Sequence, residues 1–86
     1  MENSDAARIM IDYLKQQRIV RGDVELHEDT ELVSSGLVDS FALVDVLLKL
    51  EEVTGRHIPA GRVFPPDMDT VRKMLLLAEQ VGKPRT

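Results

Sequence analysis

Three side chains of this 86-residue chain are the best candidates for chemistry. They are one serine, Ser40, and the two histidines, His27 and His57. A serine hydroxyl becomes a nucleophile when a neighbouring histidine takes its proton. However, Ser40 lies in residues 36–41, Gly-Leu-Val-Asp-Ser-Phe, and not in the Gly-x-Ser-x-Gly elbow of many hydrolases. A small hydrolase is therefore a disfavoured alternative, and we expect no catalytic residue.

Metal and thiol chemistry lack the residues that they need. The chain has no cysteine, which excludes a thiolate metal site and a cysteine nucleophile, and two histidines are too few for a closed metal cage. The acidic residues do not have the spacing of a calcium-binding loop. We therefore expect no metal site.

Acidic residues are concentrated in the middle of the chain. Residues 23–52 contain nine acidic residues and one basic residue, Lys49, so this segment carries −8 and the rest of the chain +4. Such a segment repels nucleic acid and attracts a partner with a basic patch. No apolar run approaches the roughly 20 residues that span a bilayer. The acidic N-terminus lacks the features of a secretion signal, so we expect a cytoplasmic protein.

The apolar periodicity predicts three main helices, which must position these residues. The first helix is expected over residues 5–18 with Ser4 as its N-cap, and the second from Asp39, an N-cap, through Thr54 with Gly55 after it. The third is expected over residues 70–81. Asp67 or Asp69 is its predicted cap and Gly82 its stop.

The connections are predicted from glycine, proline and acidic residues. Residues 19–38 form a long loop, 58–60 open a short helical turn, and 64–66, Phe-Pro-Pro, are extended because a residue before proline avoids helical geometry. A loop of this length in so small a domain is often functional. The apolar residues expected to pin it to the core are Val24, Leu26, Leu32 and Leu37.

The second helix is apolar on two sides. At about 100° per residue, one broad stripe faces the core, and a second apolar line lies opposite, interleaved with acids. The alternative is a central helix that packs on both sides, but its acids would then be buried at heavy cost. We therefore predict a docking surface. The core stripe is Leu43, Val46, Leu47, Leu50 and Val53; the outer face is Phe41, Val44 and Leu48 with Asp45 and Glu52, and Glu51 flanks it.

Residues 36–52, together with Ile58-Pro59 and residues 69–71, Asp-Thr-Val, resemble the Asp-Ser-Leu region and later helices of acyl carrier proteins. By position alone, Ser40 is an ordinary serine at a helix start. The resemblance covers about residues 5–81 and implies an all-α, four-helix carrier bundle, three main helices plus one short helix, in a single domain, 1–86.

The resemblance also implies a cofactor and partners. A phosphopantetheinyl transferase would attach 4′-phosphopantetheine from coenzyme A to Ser40, beside Asp39, and the thiol of the arm would hold an acyl or aminoacyl group as a thioester. An adenylating ligase or acyltransferase would load this monomer, and downstream synthases or transferases would receive the cargo. The docking residues implied by the family are Phe41, Val44, Asp45, Leu48, Glu51 and Glu52.

Several residues depart from the pattern of fatty-acid carriers. Phe41 replaces the commoner leucine, Val38 stands where an acid is frequent, and Lys49 dilutes the acidic helix. Arg72 and Lys73 lie in the last helix. These features resemble D-alanyl carriers and discrete carriers of specialised polyketide, nonribosomal peptide or aminoacyl biosynthesis. A fatty-acid carrier and an arm-less docking module of the same fold remain alternatives.

Overall fold

The computed structural model describes residues 3–20 and 24–84, so the expectations on residues 1–2, 21–23 and 85–86, including acidic Asp23 and the ends of the domain, lie outside the described residues. The described chain is mainly helical, as expected, and its three α-helices pack against one another in every pairing. The α-helices are α1 (Asn3–Gln16), α2 (Leu43–Thr54) and α3 (Val71–Val81).

Short elements connect the helices. Single 3-10 turns occur at Ser40–Ala42, Ala60–Arg62 and Pro65–Met68. Two strands, β1 (Arg56–His57) and β2 (Lys83–Pro84), pair antiparallel and join the end of α2 to the end of α3. The expectation of an all-α chain missed this pair, because two-residue strands are too short to leave a period in the sequence.

Helix α1 ends earlier than the sequence predicts. It stops at Gln16, because Arg18 adopts a left-handed backbone with φ of 54°. The Arg18 N–H then donates to the Lys15 carbonyl and the Ile19 N–H to the Leu14 carbonyl, which is the Schellman ending of a helix. At the other end, Ser4 lies inside the helix, so its prediction as the N-cap is wrong.

Gly55 ends α2 as predicted, whereas Asp39 caps the 3-10 turn that precedes α2 and Ala42 is the N-cap of α2 itself. The Asp39 carboxylate accepts a hydrogen bond of 2.9 Å from the Phe41 N–H, and the Ser40–Ala42 turn leads into α2. The expected single helix is therefore a 3-10 turn followed by an α-helix that begins at Leu43. Gly55, with φ of 68°, ends α2 in the left-handed conformation that glycine adopts readily.

The cap of α3 differs from the prediction. The Thr70 hydroxyl accepts a hydrogen bond of 3.0 Å from the Lys73 N–H, so Thr70 is the N-cap and the assignment to Asp67 or Asp69 is wrong. Asp67 instead accepts from the Phe64 N–H at 3.3 Å. Gly82 follows the last residue of α3, as predicted.

The connection before α3 is helical where the sequence suggested extended chain. The short helical turn expected near residues 58–60 is present as the 3-10 turn Ala60–Arg62. Phe64 is extended as expected, with φ of −120° and ψ of 147°. Pro65 and Pro66 instead open the 3-10 turn Pro65–Met68, because proline is tolerated in the first turn, where its missing N–H would have no partner.

The long loop is pinned to the core by fewer residues than expected. Leu26 and Leu32 are buried, but Val24 is 38% exposed and Leu37 is only half-buried. Val38 is buried in their place, where it forms an isolated β-bridge to Val20 at the other end of the loop. The core-facing stripe of α2 is confirmed: Val46 and Leu50 are fully buried, and Leu43, Leu47 and Val53 are half-buried against the core.

Candidate functional site

Ser40 is an exposed residue at the entry to α2. Its carbonyl accepts from the Leu43 N–H, and the neighbouring N–H groups of Phe41 and Ala42 donate to the carboxylate and carbonyl of Asp39. The backbone on both sides of the serine is therefore fixed, while the residue itself is open to solvent. An enzyme that modifies the hydroxyl would meet a rigid, accessible target.

Beside Ser40 lies an apolar surface that the fold leaves uncovered. Phe41 is 89% exposed, Val44 65% and Leu48 57%, and the acidic residues Asp45 and Glu52 between them are exposed too. The alternative of a helix that packs on both sides within this chain is therefore wrong. We call these five residues the docking face.

The docking face has a negative electrostatic character with one local compensation. Lys49 Nζ lies 3.4 Å from a Glu52 carboxylate oxygen and 5.6 Å from the centre of the Tyr13 ring. Burial, followed by the negative charges of Asp45 and Glu52, raises the pKa of Tyr13. Asp45 and Glu52 therefore disfavour additional negative charge here, which suits a cationic partner.

Glu51 does not belong to the docking face, and its prediction as a partner contact is wrong. Only 5% of the residue is exposed, and its carboxylate accepts from the Ile58 N–H at 2.7 Å and lies 2.9 Å from His57 Nδ1. The left-handed turn at Gly55 brings residues 57 and 58 back over the end of α2. A helical wheel of α2 alone cannot show this contact.

The two histidines contact acidic residues. His57 meets Glu51, and His27 Nε2 lies 3.7 Å from an oxygen of exposed Glu25. Among the hydrogen bonds and ion pairs of residues 3–20 and 24–84, none joins either histidine to Ser40. The described residues thus do not assemble the serine–histidine pair that the hydrolase alternative needs.

The long loop is fastened to α3 by two charged residues whose role the sequence did not reveal. Asp69 is 8% exposed, and its carboxylate accepts from three successive backbone N–H groups and one hydroxyl. We call this arrangement the Asp69 clamp; it consists of Asp69 with the N–H groups of Leu32 (3.2 Å), Val33 (2.8 Å) and Ser34 (2.9 Å) and the Ser34 hydroxyl (2.8 Å).

The charge of Asp69 is stabilised by these donors. Burial alone would raise the pKa of the Asp69 carboxyl, but the hydrogen bonds from Ser34, Val33 and Leu32 outweigh it and lower that pKa below its usual value. The clamp joins residues 35 to 37 positions apart, so no local sequence signal announces it.

Arg72 forms the second fastening of the loop. Its guanidinium lies 2.6 Å from Asp29 and 3.0 Å from Glu28, and its backbone N–H donates to the Glu28 carbonyl. The side-chain hydrogen bond from Arg72 lowers the pKa of Asp29. Arg72 therefore binds two acidic residues of the long loop, whereas the sequence indicated only a basic residue of the last helix.

The part of the chain that the structure describes holds neither a metal cluster nor a membrane-spanning helix. It contains no group of three side chains that could hold a metal ion, and none of its helices is long and apolar enough to cross a membrane. Comparisons of the chain with protein-family models, with curated proteins and with solved structures gave no match.

Proposed function

We propose that this protein is a carrier that holds an acyl or aminoacyl group on a 4′-phosphopantetheine arm attached to Ser40. The observation that carries the proposal is an exposed serine at the entry to a helix whose exposed side is apolar and acidic. Packing within the bundle does not explain why Phe41, the neighbour of Ser40, is 89% exposed, whereas a binding surface would. The similarity of residues 36–52 to acyl carrier proteins gives this arrangement its chemical meaning.

The surroundings of Ser40 are compatible with attachment of the arm, because the residue is exposed to solvent. In the attachment reaction, the Ser40 oxygen would bond to the phosphorus that bears pantetheine in coenzyme A. The bond from that phosphorus to the adenosine bisphosphate would break, and the hydroxyl proton would pass to a base of the transferase. Asp39 would hold the turn in place during this step through its bond to the Phe41 N–H. The bound arm supplies a thiol that this cysteine-free chain does not have.

The docking face suggests how partners would recognise the carrier. Phe41, Val44 and Leu48 would contact apolar side chains of an enzyme, and Asp45 and Glu52 would meet a basic rim around them. Loading would fall to an adenylating ligase or acyltransferase, and the cargo would pass to a synthase or transferase. The departures from fatty-acid carriers favour specialised biosynthesis.

Intact-protein mass spectrometry tests the proposal. The protein is incubated with coenzyme A and a broad-specificity phosphopantetheinyl transferase, and we expect a gain of one phosphopantetheine. Ser40→Ala should abolish the gain, whereas Ser35→Ala, which alters an exposed serine of the preceding loop, should keep it. A wild-type protein that gains no mass under conditions that load a known carrier would refute the proposal.

An arm-less docking module is the second candidate, because the docking face is exposed whether or not Ser40 is modified. In that case Ser40→Ala would leave partner binding unchanged, whereas Phe41→Ala would weaken it. A carrier requires both residues for delivery of its cargo.

A further inference from the structure

Residues 32–38, which precede Ser40, are held by hydrogen bonds that connect them to Asp69. Val38 lies two residues before the serine, and its N–H donates to the Leu32 carbonyl at 2.9 Å. The Leu32 N–H in turn donates 2.7 Å to the Asp69 carbonyl and 3.2 Å to the Asp69 carboxylate. The Val38–Leu32 hydrogen bond thus closes residues 32–38 into a loop, and Leu32 at one end of this loop is itself bound to Asp69.

The turn inside this closed segment depends on the same carboxylate. The Gly36 N–H donates to the Val33 carbonyl at 3.1 Å, and Gly36 has a φ of 82°, a conformation that other residues rarely adopt. Val33 itself is fixed by its N–H bond to Asp69 at 2.8 Å. The two backbone hydrogen bonds within residues 32–38 therefore end on carbonyls of residues that the Asp69 clamp holds.

Apart from the Asp69 clamp and the two backbone bonds, the Ser35 hydroxyl restrains this segment, because it donates to the Glu31 and Leu32 carbonyls and accepts from the Leu37 N–H. Ser34 and Ser35 are exposed, and Val33 and Leu37 are only half-buried, so apolar burial here rests on Leu32 and Val38. An exposed loop without strong burial opens locally at small free-energy cost. Three successive N–H groups that converge on one carboxylate oppose such opening, because each would lose a charge-assisted bond.

We propose that Asp69 is a positioning residue, which holds residues 32–38 so that the adjoining Asp39–Ser40 turn is presented in a single conformation to the modifying enzyme. Asp69 would act only through the loop and would not touch coenzyme A. The part of this inference that concerns modification rests on the proposed function, whereas the part that concerns the loop does not.

Amide hydrogen exchange tests the loop part by itself. In Asp69→Ala we expect the Val33, Ser34 and Val38 amides to lose nearly all protection and to exchange at close to the rate of an unfolded chain, without a comparable change at Leu14 in α1. The matched control is Asp67→Ala, which removes the neighbouring carboxylate and its single bond to the Phe64 N–H. A uniform rise in exchange across the domain would overturn the proposal, because it would make Asp69 a residue of global stability only.

Milder variants keep the test informative if Asp69→Ala does not fold. Asp69→Asn retains one carbonyl oxygen as an acceptor and loses the charge, and Ser34→Ala removes only the hydroxyl bond of 2.8 Å. Both substitutions should accelerate exchange at residues 32–38, and Asp69→Asn should do so more strongly than Ser34→Ala. Protection of these amides equal to wild type in both variants would also overturn the proposal.

Transferase kinetics test the positioning part. If fewer molecules present the serine correctly, apparent affinity falls by that fraction while the saturated rate is kept. We therefore expect Asp69→Ala to raise the KM for the protein about tenfold with kcat unchanged, and Asp67→Ala to change neither. An unchanged KM in a variant whose loop amides have lost protection would refute the positioning role. A wild-type protein that accepts no arm would refute the proposed function instead and leave the exchange result to decide the role of Asp69 in the loop.

Discussion

The contrast between two leucines of one helix gives the sharpest test of the two-sided α2. Leu48 is 57% exposed and Leu50 is fully buried, although only one residue separates them. Leu50→Ala deletes fully buried methyl groups and should destabilise the fold by about 2–5 kcal/mol. In a domain of this size, such a loss lowers the melting temperature by at least about 8 °C. Leu48→Ala removes side-chain atoms that are mostly in water and should cost less than about 0.5 kcal/mol.

Under the proposed function, substitutions on the docking face should impair the interaction with a partner enzyme rather than the stability of the fold. Leu48→Ala, and more strongly Phe41→Ala, should reduce loading or delivery of the cargo, because aromatic anchors at the centre of an interface commonly contribute more than about 1 kcal/mol. Thermal unfolding followed by circular dichroism measures the first effect, and steady-state kinetics with a partner enzyme measures the second. Equal destabilisation by Leu48→Ala and Leu50→Ala would refute the assignment of the docking face, and so would a Phe41→Ala variant that is less stable than Leu50→Ala.

Three further predictions concern residues outside the docking face. Glu51→Ala should destabilise the protein by about 1–3 kcal/mol in denaturant unfolding, because it leaves the buried Ile58 N–H without its acceptor, whereas Glu52→Ala should change stability little. Gly82→Ala should lower the melting temperature, since a Cβ there would overlap the Ala78 carbonyl oxygen; an unchanged value would contradict this packing. The folded-state pKa of Asp69 is lowered, so its stabilisation is complete above the unfolded value of about 3.9 and is lost as pH falls through the folded value. In denaturant unfolding, Asp69→Asn should therefore be destabilised less at pH 2 than at pH 6, and an equal effect at both would contradict the charge-assisted clamp.

Features encoded by neighbouring residues could be predicted from the sequence. The caps at Asp39 and Gly55 depend on residues a few positions away: Gly55 ends α2 as predicted, and Asp39 caps the 3-10 turn that leads into α2. The exposed apolar line of Phe41, Val44 and Leu48 follows from the helical period in the same way. Local chemistry and periodicity therefore account for the helices and for the outline of the docking face.

Features that join distant parts of the chain could not be predicted. Glu51 resembles its neighbour Glu52 in sequence, but its burial results from the chain that returns after Gly55. Asp69 was a plausible helix cap because of its position before α3, whereas Thr70 fills that role and Asp69 binds residues 35 to 37 positions earlier. Val24 was expected in the core on hydrophobicity alone, and nothing local shows that Val38 is buried instead.

The Asp69 clamp also has a consequence for the order in which the chain folds. Its partners are separated by 35 to 37 residues, so their hydrogen bonds form only after the long loop and α3 have come together. Bringing residues this far apart together costs chain entropy before their contacts stabilise the fold. If the helices condense first, Asp69→Asn should accelerate unfolding and leave the refolding rate almost unchanged in a stopped-flow chevron. Residues 32–38 would then be the last part of the domain to reach their final form. If Ser40 carries the proposed arm, a newly made chain would accept it only when folding is complete.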